Sequence, residues 1–423
     1  MKHLAVVSCL LLLPLAFSCS DDVTGQAEPE ALGRRTVLMY MAADNSLGGN
    51  DFSEKDFEEL VQGSSRLSPN DRMLLFVDDD ENPRIYRFMN GGKSPTIVRR
   101  WGGDVDSSSP STLKDVLLWT MKYFPAAEYG LVLWSHATGW LPSTNTSYRQ
   151  VKSFGIDTGD GNNWGSDIDE NGNLGTQGNI SDFAKVFSEC GVKFKFMLWD
   201  ACFMQNIESC YALRNCSEYI IASPMAISAY GAYYVHQVER GLFSKDPVDI
   251  ARTYYEDATS KYLAEEYGDV GLVVSAVKTD SLESLAKKVS EILPMPGAVG
   301  RYPEMTGVLN YGAYSSHYYF QPHFYDALEV MRKILGAADF EPFKRLYEKV
   351  VVYKASTDNF YLGPGLYDYQ DMKAHEATYG GMSMFVPQEI YALNTSRCIY
   401  GNLNDAFRCT EWYEKAGFGA KGW

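Results

Sequence analysis

Short, nearly unbroken apolar runs recur along the first half of the chain, each followed by a polar cluster. They are TVLMYMA (36–42), RMLLFV (72–77), GLVLWS (130–135), FKFMLW (194–199) and YIIA (219–222). A run that is apolar at every position, rather than every second one, predicts a strand covered on both faces. Between these runs, apolar residues recur three and four apart. Phe57, Leu60 and Val61 do so in SEKDFEELVQG, with Asp44, Asn45 and Ser46 supplying a turn and cap ahead of them. The same spacing predicts helices over 111–124, 181–187 and 204–213, the last directly after Cys202. Residues 85–88 read as an antiparallel extension. Strand and helix alternate from 36 to 223, which predicts an α/β layered fold with a mostly parallel sheet.

Beyond residue 245 the pattern changes. A strand is predicted over 270–276 (VGLVVSA), helices over 324–336 and 340–350, and short strands at 350–353 and 381–386. Residues 246–423 thus read as a C-terminal α+β part packed on a first unit at 35–245. The stretch 141–179, rich in Asn, Asp, Ser and Gly, reads as a long loop, and 291–325 is loop-like.

The N-terminus has another purpose. Lys2 precedes an apolar run too short to span a bilayer, so residues 1–18 read as a signal peptide. Ala16-Phe17-Ser18-Cys19 resembles a bacterial lipobox, which makes Cys19 the lipidation site and 19–34 a polar tether. This predicts an exported protein held at the bacterial cell envelope, on the outer membrane, by a lipid anchor alone. Ordinary secretion is the other reading.

Composition narrows the class. With 45% hydrophobic residues, the 423-residue chain is neither disordered nor fibrous. A net charge of −16 argues against nucleic acid as a partner and favours cationic ones. Of eight cysteines, Cys9 and Cys19 fall in the leader region, and no C-x-x-C pair suggests structural zinc. Cys398 with Cys409, or Cys210 with Cys216, are the disulfides an exported chain could form.

Two predicted strands end in residues capable of chemistry: His136 after GLVLWS and Cys202 after FKFMLWDA. Ligands of open α/β sheets bind outside the carboxyl ends of the strands. Cys202, just ahead of a predicted helix, would sit in a field that favours the thiolate. The turn Ala137-Thr138-Gly139 could present N–H groups to an oxyanion. On pattern alone a Cys–His hydrolase competes with a buried Cys and a structural His. A metal hydrolase lacks its H-E-x-x-H motif.

VLMYMAADNSL (37–47), LVLWSHATGW (131–140), FKFMLWDACFMQNIE (194–208) and LRNCSEYIIASP (213–224) together resemble the clostripain family of cysteine peptidases, in the caspase–gingipain–legumain clan. The resemblance implies a caspase-like α/β/α sandwich and an endopeptidase. Cys202 would be the nucleophile and His136 the general base and acid. The backbone N–H groups of Cys202 and Ala137 would serve the oxyanion. Asp200 would lie in the pocket for an Arg or Lys side chain, giving peptide or protein substrates cut after those residues. On residue type alone, Asp200 equally suits the N-cap of the following helix. Some relatives cut themselves in the loop after the His, where Arg149 and Lys152 are available. The chemistry needs no cofactor, but relatives can depend on calcium. Asp167-x-Asp169-x-Asn171-Gly172 matches the opening of a calcium loop, with Asp157 and Asp160 nearby and Gly178 where the closing Glu would stand. A plain acidic loop is the alternative. Two positions depart from the family: Ala137 where Gly usually follows the His, and Ser135 where an acid is frequent. An inactive peptidase-like surface lipoprotein that binds peptides or glycans is therefore the competing function.

Overall fold

The computed structural model describes residues 28–141, 154–159, 167, 175–260, 270–297, 302–316, 319–362, 369–392 and 402–423. The apolar runs become the strands of one sheet: β1 (Gly33–Ala42), β2 (Asp71–Asp78), β3 (Arg84–Phe88), β4 (Thr96–Arg100) and β5 (Ala126–Trp134). A short pair, β6 (Phe154–Asp157) and β7 (Thr176–Gly178), stands apart from it. The sheet continues with β8 (Phe196–Asp200), β9 (Tyr219–Ala222) and β10 (Val273–Lys278). Across the sheet the order is Val351–Ser356, β10, β9, β8, β5, β1, β2, β3, β4. The five central strands are parallel, and antiparallel strands extend both edges.

The unbroken apolar runs have a physical reason. In β1, Leu38, Tyr40 and Ala42 enter one core and Val37, Met39 and Met41 the other, all at most 2% exposed. Each large apolar side chain contributes roughly 1.5–3 kcal/mol by leaving water, which favours apolar residues on both faces. One core packs under helices α2 (Pro110–Tyr123) and α3 (Ile180–Glu189), together with helices Leu282–Ile292 and Ala337–Val350. The other packs under α1 (Phe52–Ser64) and helix Val248–Ala258. The result is the expected α/β/α sandwich.

Several boundaries differ from expectation. The C-terminal part supplies β10 and the Val351–Ser356 edge, so a division at 245 cuts one sheet. Helix α4 is only Ile207–Ala212, and its N-cap is Asn206, whose side chain accepts from Ser209 N–H. Asp200 is therefore no helix cap, and the helix begins later after Cys202 than expected. The Asp44–Ser46 turn does not cap α1 either, since that helix starts at Phe52 after a turn of 3₁₀ helix at Gly48–Asn50. Cys210 and Cys216 are both free thiols, not a disulfide: Cys210 faces Gln205 Oε1 and Cys216 faces the Ala184 carbonyl. Cys409 is also free, and Cys398 lies outside the described residues. So do residues 1–27, with the expected signal peptide and Cys19. Among the described residues no helix is long and apolar enough to cross a membrane.

Candidate active site

The chain starts in the middle of the sheet at β1 and fills one side with β2 and the other with β5, β8 and β9. Loops leaving β1 and β5 therefore part in opposite directions, opening a crevice at the carboxyl ends of the strands. Trp134 of β5 pairs with Asp200 of β8 as the last matched residues of that ladder. His136 and Cys202 each stand two residues beyond this pair. Neighbouring strands lie about 4.8 Å apart, so the two side chains leave adjacent strand ends at the same level.

His136 meets two partners through Nε2. Ser46 Oγ, from the loop after β1, is 2.9 Å away, and Asp167 Oδ1 is 3.4 Å away. The same Asp167 oxygen accepts from Ser46 N–H at 3.2 Å. Ser46 follows Asn45, a buried residue whose Nδ2 donates to the Ala42 and Ile156 carbonyls, both at 2.9 Å. Ser135 is buried as well; its hydroxyl donates to the Ala42 carbonyl at 2.8 Å and locks the β5 end to the β1 end. An acidic residue there would face that carbonyl without a proton to donate.

The turn after His136 answers the question posed by Ala137. Among the described residues only Asp51 and Phe203 are non-glycine residues with positive φ, so Ala137 needs no left-handed backbone. The left-handed position falls on Gly139, at φ +68°. A side chain there would lie 2.6 Å from the Phe203 carbonyl, so glycine is required for close approach as well as for φ. Ala137 is bridged to Phe154 of β6, with Gly155 N–H donating to the His136 carbonyl at 2.9 Å.

Cys202 is partly exposed, and its Sγ accepts from Ile227 N–H at 3.4 Å. Burial pushes the Cys190 thiol up to about 11 and raises those of Cys210 and Cys216. Phe203 follows in a left-handed conformation, φ +62°, a strain of about 1–3 kcal/mol for a bulky residue. Its N–H donates to the Met225 carbonyl, its carbonyl accepts from Asn206 Nδ2, and its ring stacks on Phe324 at 4.7 Å. Residues 203 and 324 thus tie the turn after Cys202 to the C-terminal part.

Asp200, the last residue of β8, is 3% exposed. Its Oδ2 accepts from Ala232 N–H at 2.9 Å and Tyr234 OH at 2.7 Å, and its Oδ1 from Tyr254 OH at 2.9 Å. Burial raises its carboxyl, against the lowering by these three donors. No cation among the described residues pairs with it. Gly231, at φ +58°, presses on the carboxylate; a Cβ there would come within 2.5 Å of Oδ2. Asp56 of α1 is also buried, its carboxyl raised by burial and then by Glu59 and Asp200.

The remaining expected sites divide. Asp167 directs its carboxylate Oδ1 to His136 and Ser46. Asp157 is buried and accepts from Ser107 N–H, Ser107 OH and Gly159 N–H. Asp160, Asp169 and Asn171 lie outside the described residues, as do Arg149 and Lys152. Among the described residues no group of three or more His, Cys, Asp or Glu could hold a metal ion. Sequence reasoning missed Ser46 and Asp167 as partners of His136. The polar triplet after β1, at the point where strand order reverses, was the available signal.

Known proteins share this fold. The Peptidase_C11 (clostripain family) sequence model matches residues 39–417. A secreted C11 cysteine protease from Bacteroides thetaiotaomicron, solved by X-ray with an irreversible peptide inhibitor, is similar at 27% identity and TM-score 0.73. The match covers 91% of this chain and 99% of that one. An inactive zymogen C11 protease from Parabacteroides distasonis is similar at 27% identity and TM-score 0.71, covering 92% of this chain and 99% of that one. No curated protein matches. By the extent of the family match and the fold it shares with these proteases, the chain belongs to the clostripain family of cysteine proteases.

Proposed function

We propose that this protease is an exported endopeptidase that cleaves after Arg or Lys with a dyad of Cys202 and His136. The observation that carries the reading is the β5–β8 register, which sets both residues two positions beyond the Trp134–Asp200 pair. Cys202 attacks the scissile carbonyl carbon, and the leaving amine takes a proton from His136. Water then releases the acyl group with His136 as base. The N–H groups of Cys202 and Ala137 receive the oxyanion. Asp200 supplies specificity: it is a buried carboxylate beside the nucleophile with no cation of the described residues to match it, and a substrate guanidinium or ammonium would complete it. The net charge of −16 would draw such substrates in.

Export by residues 1–18 and a lipid on Cys19 complete the reading, supported by the sequence pattern and by a similar protease described as secreted. Self-cleavage at Arg149 or Lys152 would open the loop between the buried residues Leu141 and Phe154. The inactive-binder alternative weakens, because Ala137 imposes no strained φ at the turn.

Purified residues 20–423 should hydrolyse peptides with Arg or Lys before the scissile bond, and Cys202→Ala should not. Activity retained by Cys202→Ala would sink the mechanism. A preference for Asp-ending peptides would remove the role given to Asp200.

A further inference from the structure

Resting on the dyad reading, we propose that Ser46 and Asp167 are positioning residues that hold His136 by Nε2 and so turn Nδ1 toward Cys202. An imidazole has two nitrogens, and the bond made by one sets the tautomer and orientation of the other. Here Nε2 lies 2.9 Å from Ser46 Oγ and 3.4 Å from Asp167 Oδ1. The holder is itself held. Ser46 N–H donates to the Asp167 carboxylate, and Asn45, the residue before it, is pinned between the Ala42 and Ile156 carbonyls. Asp167 is tied back through its own carbonyl, which accepts from Gly175 N–H at 3.1 Å. Three separate stretches of chain therefore meet at one ring nitrogen: the β1 loop, the β5 end and residue 167.

The proton sequence follows from that geometry. In the resting ring, Nε2–H donates to Ser46 Oγ and Nδ1 carries the lone pair. Nδ1 takes the thiol proton, and the thiolate forms a bond to the substrate carbonyl carbon. As the C–N bond breaks, the Nδ1 proton goes to the leaving amine. In the second half Nδ1 takes a proton from water, whose oxygen attacks the thioester, and that proton returns to sulfur as the C–S bond breaks. The Nε2 proton never moves and Asp167 never gains one. Asp167 compensates the positive charge on the ring whenever both nitrogens are protonated.

Five variants of the full chain without its leader test this. Ser46→Ala should lower kcat about 10-fold, and Asp167→Asn about 10- to 100-fold, with KM on an Arg peptide changed less than about threefold. Ser46→Thr, which keeps the hydroxyl, should restore most of the rate. The second readout is alkylation of Cys202 by iodoacetamide, which needs no substrate. Ser46→Ala should slow it in the presence of His136 and leave it unchanged in a His136→Ala background, because the hydroxyl acts only through the ring. Unchanged kcat in both Ser46→Ala and Asp167→Asn, or equal slowing of alkylation with and without His136, would overturn the proposal. Full activity in His136→Ala would instead overturn the dyad reading beneath it.

Discussion

The ends of β5 and β8 lie side by side in register, yet they are built in opposite ways. At the β5 end, His136 is 27% exposed and is held at one nitrogen by groups from separate loops. At the β8 end, Asp200 is 3% exposed and gripped by two phenols and an amide. In the proposed roles, a ring that exchanges protons with substrate and water needs an open face. A carboxylate that would select for charge needs a rigid, dry wall, where a matched cation is rewarded and an unmatched group is penalised. Adjacent ends of one sheet meet both demands because burial there depends on which loops return over each strand.

The sharpest way to break this contrast is to remove one group from each end. His136→Ala and Cys202→Ala should each lower kcat by about 10³-fold or more while leaving the unfolding midpoint unchanged, read from initial rates and calorimetry. Asp200→Ala should do the reverse of that separation. It strands two buried hydroxyls and an N–H, so stability should fall by about 3 kcal/mol or more in urea unfolding. A melting curve like that of the wild type would show that the β8 end is not the rigid wall described.

Glu208, six residues past Cys202 on the buried side, sharpens the point through pH. Its carboxyl accepts from Phe385 N–H, yet burial pushes it up to about 8 from an ordinary 4.5. The folded state thus prefers the neutral acid. Its contribution to stability is complete below about pH 4.5 and is lost progressively as pH rises toward 8. Relative to Glu208→Gln, the wild type should lose about 2–4 kcal/mol between pH 5 and 8, measured by urea midpoints across that range. A parallel pH profile for the two proteins would show that Glu208 is ionised throughout.

Asp200→Asn is the subtler substitution. It keeps an acceptor for the phenols but removes the charge, so kcat/KM for Arg peptides should fall about 10- to 100-fold while neutral peptides change little. An Arg preference that survives would locate specificity elsewhere. The smallest effect is expected at the open end: Ala137→Gly should leave kcat within about twofold and cost up to about 1 kcal/mol of stability. A large gain in rate would mean that the turn does require left-handed backbone at 137.

The sheet was legible, and with it the placing of His136 and Cys202 at two adjacent strand ends, because both rest on local pattern. TVLMYMA and GLVLWS announce strands buried on both faces, and His136 and Cys202 follow such runs directly. What was hidden depends on contacts between residues far apart in sequence. Ser46 read as part of a cap and Asp167 as the start of a calcium loop, and nothing local says that 121 residues of separation close to one hydrogen bond. The same holds for Glu208 and Phe385, 177 residues apart. Asn206 took the capping role open to Asp200 because the chain turns through a left-handed Phe203 before α4 begins, and sequence gives no warning of a bulky residue in that conformation.

The stack of Phe203 on Phe324 couples the site to the order in which the chain is delivered. The ribosome releases the N-terminus first. Cys202 and His136 therefore emerge well before the ring that props the turn at residue 203, and before β10 and the Val351–Ser356 strand that complete the sheet. During that interval the outer side of β9 is an unpaired edge and the turn at residue 203 lacks its stacking partner. The site region is thus complete only once the last third of the polypeptide has been made.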